Sequence, residues 1–553
     1  MRRHAKNAML GFGLSAALAT GSAYAKPRVQ SANPAATPAK PGLIVAIAVD
    51  QLSTDLFRTY GPQFIGGFKR LMGGAVFANG FQAHAATETC PGHATILTGV
   101  HPARAGIVAN NWYDMSIART DKRVYCAEDE NVPGSSSDNY TVSPVHLVVP
   151  TLGDRIKLQG KGGRSIAISG KDRGAVMMGG KQPDEIWWWG SRGFVSYRGQ
   201  IAPDPVRAVN ERIDEALSNP IGAAALPSQC TALVHPLKLS EDKSVGGEPQ
   251  GLDAGDAKGF RATTAFDQAA LDIAAGLARG MELGKGPAAD ILAISLSATD
   301  YIGHSFGPGG PEMCGHLFAL DAALNRFFAD LDSLGVNYAV VLTADHGGLD
   351  IPEREPKVAG SARVNIDLLP AQLDEDVSAD LNLPGFVLVA DGPSGDYFVA
   401  HDIVGVSAEQ IVGALKKRAL ASNQVEAVYS RAEIEAAPKA NLPVDQWSEV
   451  QRIAASYDPK RSGDAYIVLK PQITPIHDVS GYVATHGSLW DYDRKVPILF
   501  WGAGIESGVH DDPVDTVNIA PTLASLIGLA IPPEEIDGHC LASVVKNVMC
   551  RGK

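Results

Sequence analysis

Four places in this chain offer nitrogen or oxygen ligands, two of them as close pairs. Asp300-Tyr-Ile-Gly-His304 puts a carboxylate and an imidazole at i and i+4, near enough to share one cation if that turn is helical. Asp345 and His346 are adjacent in a glycine-rich turn, Asp50 ends an apolar run, and His486 lies in the turn Ala484-Thr-His-Gly487. Histidine nitrogens and carboxylate oxygens are ligands of zinc, and a catalytic zinc keeps one coordination position open. Six such residues suit two ions better than one.

The segments that must carry these residues are short and apolar. Residues 43–49 run into Asp50, 165–169 into Gly170 and Lys171, 291–296 into Thr299 and Asp300, and 338–342 into Asp345 and His346; 496–501 end at Gly502. Runs this uniformly apolar suit strands covered on both faces, with amphipathic helical stretches at 265–277 and 312–334 between them, so an α/β fold is expected. In open α/β sheets ligands bind outside the carboxyl ends of the strands, which is where these Asp, Lys and His residues fall. Residues 351–479 change character, mixing Pro, acidic loops and short alternating strands at 385–390 and 464–469. They read as an insertion or cap on a catalytic domain formed by 42–350 and 480–553. The polar stretch 128–140 reads as a surface loop.

With 553 residues and 45% hydrophobic side chains, the chain has ample material for a large core, which excludes a disordered or fibrous protein. Arg2, Arg3 and Lys6 precede a short apolar stretch and the small-x-small site Ala23-Tyr24-Ala25, the pattern of a secretory signal spanning 1–25. A Pro/Ala-rich leader follows at 26–41. Cleavage removes three cations and makes the formal charge of −13 more negative still, which argues against nucleic acid or an anionic membrane as partner. The expected location is the periplasm or the medium, and a monomer is expected. Six cysteines in an exported chain point to structural disulfides, with Cys540 and Cys550 close enough to shut a small loop and the other pairings open.

The residues around Thr89 carry a resemblance. Thr87-Glu-Thr89-Cys-Pro-Gly-His-Ala-Thr-Ile96 precedes His101-Pro-Ala-Arg-Ala-Gly-Ile-Val-Ala-Asn110-Asn-Trp-Tyr-Asp114. Joined by Thr299-Asp300-Tyr-Ile-Gly-His304, Thr343-Ala-Asp345-His346-Gly-Gly348, Thr485-His486-Gly-Ser488 and the segment Val517 to Gly528, they resemble the alkaline phosphatase superfamily. Within it, the pattern is most similar to the secreted bacterial PafA-like and PhoK-like enzymes with a threonine nucleophile. The resemblance implies a central, mostly parallel sheet flanked by helices on both faces, with a cap. It implies one zinc on Asp300, His304 and His486 and a second on Asp50, Asp345 and His346. Thr89 would be the nucleophile, with its oxygen on the second zinc, since a threonine hydroxyl needs metal coordination or a base to react at neutral pH. In-line displacement to a phosphothreonine and attack by a hydroxide on the first zinc would then follow, the two-metal logic. Asn110 would donate to a non-bridging oxygen. Lys171 and Arg173, two residues apart after the 165–169 strand, would receive the extra charge of a phosphate monoester dianion. The implied substrates are small-molecule phosphate monoesters.

Rival readings have their own residues. Cys90-Pro-Gly-His-Ala94 lacks the order Cys-x-Pro-x-Arg of sulfatases, so that chemistry is not expected. His93 reads as fixing the loop by a hydrogen bond. Trp187-Trp188-Trp189 reads as core or strand edge before a pocket wall. A nucleotide pyrophosphatase/phosphodiesterase of the same superfamily would lack the Lys-x-Arg pair, and an inactive exported metal-binding protein would need no nucleophile. No acid set stands out for a third, magnesium-type ion, and a structural calcium stays unassigned.

Overall fold

The computed structural model describes residues 40–400, 403, 405–545 and 550. The expected signal at 1–25 and nearly all of the leader lie outside the described residues. Ten strands make the main sheet: β1 (Leu43–Val49), β2 (Ala75–Phe81), β3 (Ser165–Ser169), β4 (Glu185–Trp189), β5 (Phe194–Val195), β6 (Asp290–Leu296), β7 (Tyr338–Thr343), β8 (Lys495–Gly502), β9 (Gly508–His510) and β10 (Val514–Asp515). Their order is β9-β2-β8-β7-β1-β6-β3-β4-β5, with β10 beside β2. Strands β7, β1, β6, β3 and β4 are parallel, whereas β8 runs antiparallel to both β7 and β2. The mixed, mostly parallel α/β sheet expected from the apolar runs is what forms.

Every residue of β1 is buried, and its side chains alternate between two cores. Leu43, Val45, Ile47 and Val49 pack with the helices Thr264–Gly280 and Pro311–Asp332 on one face. Ile44, Ala46 and Ala48 face the helices Thr89–Thr98, Asp172–Gly179 and Ile519–Ile527 on the other. Each fully buried Leu, Ile or Val contributes roughly 1.5–3 kcal/mol, so a strand covered on both sides is a rigid base for whatever follows it. The three Trp residues of β4 are buried, with Trp187 and Trp189 in the first core and Trp188 in the second.

A second, antiparallel sheet orders Leu388–Val389, Gly395–Val399, Ala465–Leu469 and Val425–Ser430, with its own core against the helices Pro370–Leu381 and Ala408–Ala419. The strand expected at 385–390 shortens to two residues. Three disulfides form: Cys90–Cys126, Cys230–Cys314 and Cys540–Cys550. Among the described residues, no helix is long and apolar enough to cross a membrane.

Candidate functional site

One edge of the main sheet collects the candidate residues. Asp50 follows β1, Lys171 and Arg173 follow β3, Asp300 and His304 follow β6, and Asp345 and His346 follow β7. Thr89 comes after β2, and His486 precedes β8, whose antiparallel direction brings its start to that same edge. The turn carrying Asp300 is the helix Ala298–Phe306, so the i, i+4 pair shares a face and His304 Nε2 lies 3.2 Å from Asp300 Oδ1.

The ligand atoms converge. Asp300, His304 and His486 form one group able to hold an ion, and Asp50, Asp300 and His346 form another. Asp345 stands beside the second group, its Oδ2 3.4 Å from His346 Nε2. Asp300 therefore lies at the junction of the two groups, where sequence reasoning had set it in the first alone. All three imidazoles are oriented by the backbone: Nδ1 of His304 meets Ala484 O at 2.8 Å, that of His346 meets Gly347 O at 2.9 Å, and that of His486 meets Thr87 O at 2.8 Å. A proton held on Nδ1 leaves the Nε2 lone pair for a metal, the usual outer-shell device.

Electrostatics point the same way. Asp50, Asp300 and Asp345 are all buried around one ammonium, Lys171, whose Nζ is 2.6 Å from Asp50 and 2.5 Å from Asp300. Burial and the Asp345 charge push the Asp50 carboxyl well above its ordinary range. Burial opposes ionisation of Asp300, but His304 and Lys171 hold it well below. Burial pushes His346 down to about 3, keeping the imidazole neutral, the form able to bind a cation. Asp50 Oδ1 and His346 Nε2 are buried without a hydrogen-bond partner, whereas Asp345 Oδ2 has the His93 ring nitrogen at 3.0 Å. Unpaired buried polar atoms of this kind are costly, and divalent cations on N/O ligands satisfy them. The residues fit two such ions.

Thr89 is the first residue of the helix Thr89–Thr98, fully buried, with Lys171 Nζ 3.4 Å from its Oγ1. A helix N-terminus favours negative charge there. Asn110 accepts from Cys90 N through Oδ1 at 2.8 Å and donates its own N–H to Glu88 at 2.6 Å, leaving its NH2 as a donor. Lys171 is still extended but Arg173 already belongs to the helix Asp172–Gly179, so strand alternation is not what brings the pair together. His93 bonds Thr89 O at 2.9 Å and Ser295 Oγ at 2.8 Å, fixing the loop. A cleft of about 230 Å³ opens beside His486, lined by Glu88, Tyr113, Asp391, Asp396 and Phe398 among others.

Gln51 was missed by sequence reasoning. Its backbone is left-handed at φ 66°, its N–H donates to Asp345 Oδ1 at 3.1 Å, and its amide donates to Asp300 Oδ1 at 3.1 Å. The one available signal was Gly303: a Cβ there would lie 1.5 Å from Gln51 Oε1, so the glycine of Asp-Tyr-Ile-Gly-His exists to admit that side chain.

The family model for type I phosphodiesterase / nucleotide pyrophosphatase matches residues 44–489. The chain is 47% identical over 528 residues to alkaline phosphatase PhoK of Sphingomonas sp, covering 94% of each chain. It is 43% identical over 511 residues to alkaline phosphatase PhoD of Zymomonas mobilis, covering 90% of this chain and 87% of the other. Its fold is similar to the crystal structure of alkaline phosphatase PafA, with a TM-score of 0.79 at 24% identity, over 92% of this chain and all of that one. The chain therefore belongs to the type I phosphodiesterase / nucleotide pyrophosphatase family and, within the alkaline phosphatase superfamily, to the PhoK- and PafA-like alkaline phosphatases.

Proposed function

We propose that this enzyme is a secreted, zinc-dependent phosphomonoesterase that transfers phosphate from small organic monoesters first to Thr89 and then to water. The observation that supports it most is the placing of Thr89 at a helix N-terminus, 3.4 Å from the Lys171 ammonium, which itself touches the candidate ligands Asp50 and Asp300. Asp300, His304 and His486 would hold one zinc and Asp50, Asp345 and His346 the other. When bound, the ions supply Lewis acidity that neutralises charge on the attacking and leaving oxygens.

The protein's own groups do the rest. Thr89 Oγ1 attacks phosphorus in line, the bond from phosphorus to the ester oxygen breaks, and an alcohol leaves. Water then attacks the phosphothreonine, the bond from phosphorus to Thr89 breaks, and orthophosphate departs. Lys171, Arg173 and the Asn110 NH2 bind the non-bridging oxygens, and because two of the three are cations they favour a dianion over a monoanionic diester. The helix dipole at Thr89 adds to this preference. Residues 42–350 and 480–553 act as the catalytic domain, and 351–479 as a cap that borders the leaving-group cleft. Residues 1–25 direct export, and 26–41 are the leader that follows.

The test is the ratio of kcat/KM for an aryl phosphate monoester to that for the matching diester, with zinc-loaded protein. A strong monoester preference that chelation removes, and that Lys171→Ala with Arg173→Ala erodes by hurting monoesters most, supports the reading. The family model also covers phosphodiesterases, so a diester preference would assign the protein to that chemistry with Thr89 and the ligand set unchanged.

A further inference from the structure

Arg173 is a half-buried guanidinium with an acidic neighbour, yet its side chain is not paired with it. Among the described residues no carboxylate lies within 4 Å of its guanidinium nitrogens; its side-chain contact is NH1 to the Tyr125 hydroxyl at 3.4 Å, and its Nε has no partner. The carboxylate that could neutralise it, on Asp172, is engaged elsewhere. Tyr125 Oη donates to Asp172 Oδ1 and Tyr140 Oη donates to Asp172 Oδ2, both at 2.7 Å. The Arg173 backbone N–H adds a third donor to Oδ1.

Two phenols arriving from separate segments, one donor to each oxygen, is a built clamp. Tyr125 ends the strand Arg123–Tyr125, next to Cys126, which is bonded to Cys90 beside the nucleophile. The Tyr140 ring packs on it at 4.6 Å between centroids. Burial and the Asp172 charge push both hydroxyls above their ordinary range, so both stay protonated donors in alkaline solution. A carboxylate holding strong hydrogen bonds on both oxygens gains little by turning to a cation, whereas a free one a residue away from a half-buried guanidinium would pair with it.

We propose that Tyr125 and Tyr140 are positioning residues that sequester Asp172 and thereby keep the Arg173 fork open for a phosphate oxygen. This rests on the phosphoryl-site reading given above for Arg173. Removing the two hydroxyls frees Asp172 to close on Arg173, and the phosphate loses its bidentate donor.

The experiment measures the Kd of inorganic phosphate by calorimetry on zinc-loaded, full-length mature protein, in three forms: wild type, Tyr125→Phe/Tyr140→Phe, and that double variant with Asp172→Asn. The double variant is expected to bind phosphate about tenfold more weakly, as fits the loss of one charge-assisted contact. Adding Asp172→Asn, which cannot neutralise Arg173, is expected to restore most of the affinity. Unchanged affinity in the double variant, or a loss that Asp172→Asn does not repair, would overturn the proposal, since a packing defect would not be cured by changing a third residue's charge. Should the double variant fail to fold, Tyr140→Phe, at the more exposed ring, takes its place with a smaller loss and the same rescue. Turnover is recorded alongside: a wild type that binds phosphate but hydrolyses no monoester defeats the phosphatase reading and leaves this one to be judged by the Kd values.

Discussion

Asn110 Oδ1 accepts the backbone N–H of Cys90 at 2.8 Å, and this one bond decides which end of the Asn110 amide is left free. With the oxygen used, the NH2 is presented as a donor. Asn110→Asp keeps the shape and the Cys90 bond but exchanges that donor for a second carboxylate oxygen. Its kcat/KM for monoesters should fall by more than that of Asn110→Ala, about tenfold further, because it sets charge against charge. Equal activities for the two variants would show that Asn110 meets no phosphate oxygen.

Thr89→Ala should reduce turnover by about a thousandfold or more, while two zinc ions per chain remain by elemental analysis. The imidazoles and carboxylates that form the ligand groups do not depend on the threonine hydroxyl. Retained turnover would send the search for the nucleophile elsewhere.

Chelation should lower the melting temperature as well as the activity. Without cations, three buried carboxylates, Asp50, Asp300 and Asp345, are left with one ammonium, Lys171, and neighbouring imidazoles such as His304 and His93. A ligand present at about a hundred times its Kd adds roughly 2.7 kcal/mol to the folded state. Zinc should restore the lost degrees on re-addition; a melting curve indifferent to chelator would argue against a resident metal.

Stability should also decline on the alkaline side through His101. Its Nε2 is 2.8 Å from Asp515 and its Nδ1 is 3.2 Å from Asp537. Burial alone would lower its pKa, but the Asp515 and Asp537 carboxylates raise it to about 10. A raised folded pKa gives stability that is complete below the unfolded value near 6.5 and disappears as the pH climbs through 10. His101→Asn should therefore cost about 2 kcal/mol at pH 6, and the gap to wild type should close by pH 10.5 in urea unfolding. A gap of constant size across that range would mean His101 acts by packing alone.

Much of this was legible in the residues because it is local. The run 43–49 had to be a two-sided strand, and β1 has those bounds; the Asp300 to His304 spacing only needed a helical turn to join. What sequence could not give was long-range. Gln51 reaches Asp345 and Asp300 from the far end of the chain's numbering, through a backbone angle no pattern announces. The stretch 128–140 looked like plain surface, yet Glu128 is fully buried on Arg119 and Tyr140 reaches Asp172. Polar composition reports average exposure, and a few inward-facing members of a loop are lost in that average. Trp187, Trp188 and Trp189, read as core or strand edge before pocket wall, do serve the core.

The left-handed backbone at Gln51 has an evolutionary reading. A non-glycine residue held at positive φ gives up about 1–3 kcal/mol, which Gly would recover. Gly at this position would also delete the amide that steadies Asp300. Selection for heat resistance alone would thus reward the loss of that support, and selection for turnover would oppose it. Thermal tolerance and catalytic competence meet at a single codon, so stabilised descendants of this enzyme are best sought with position 51 left unchanged.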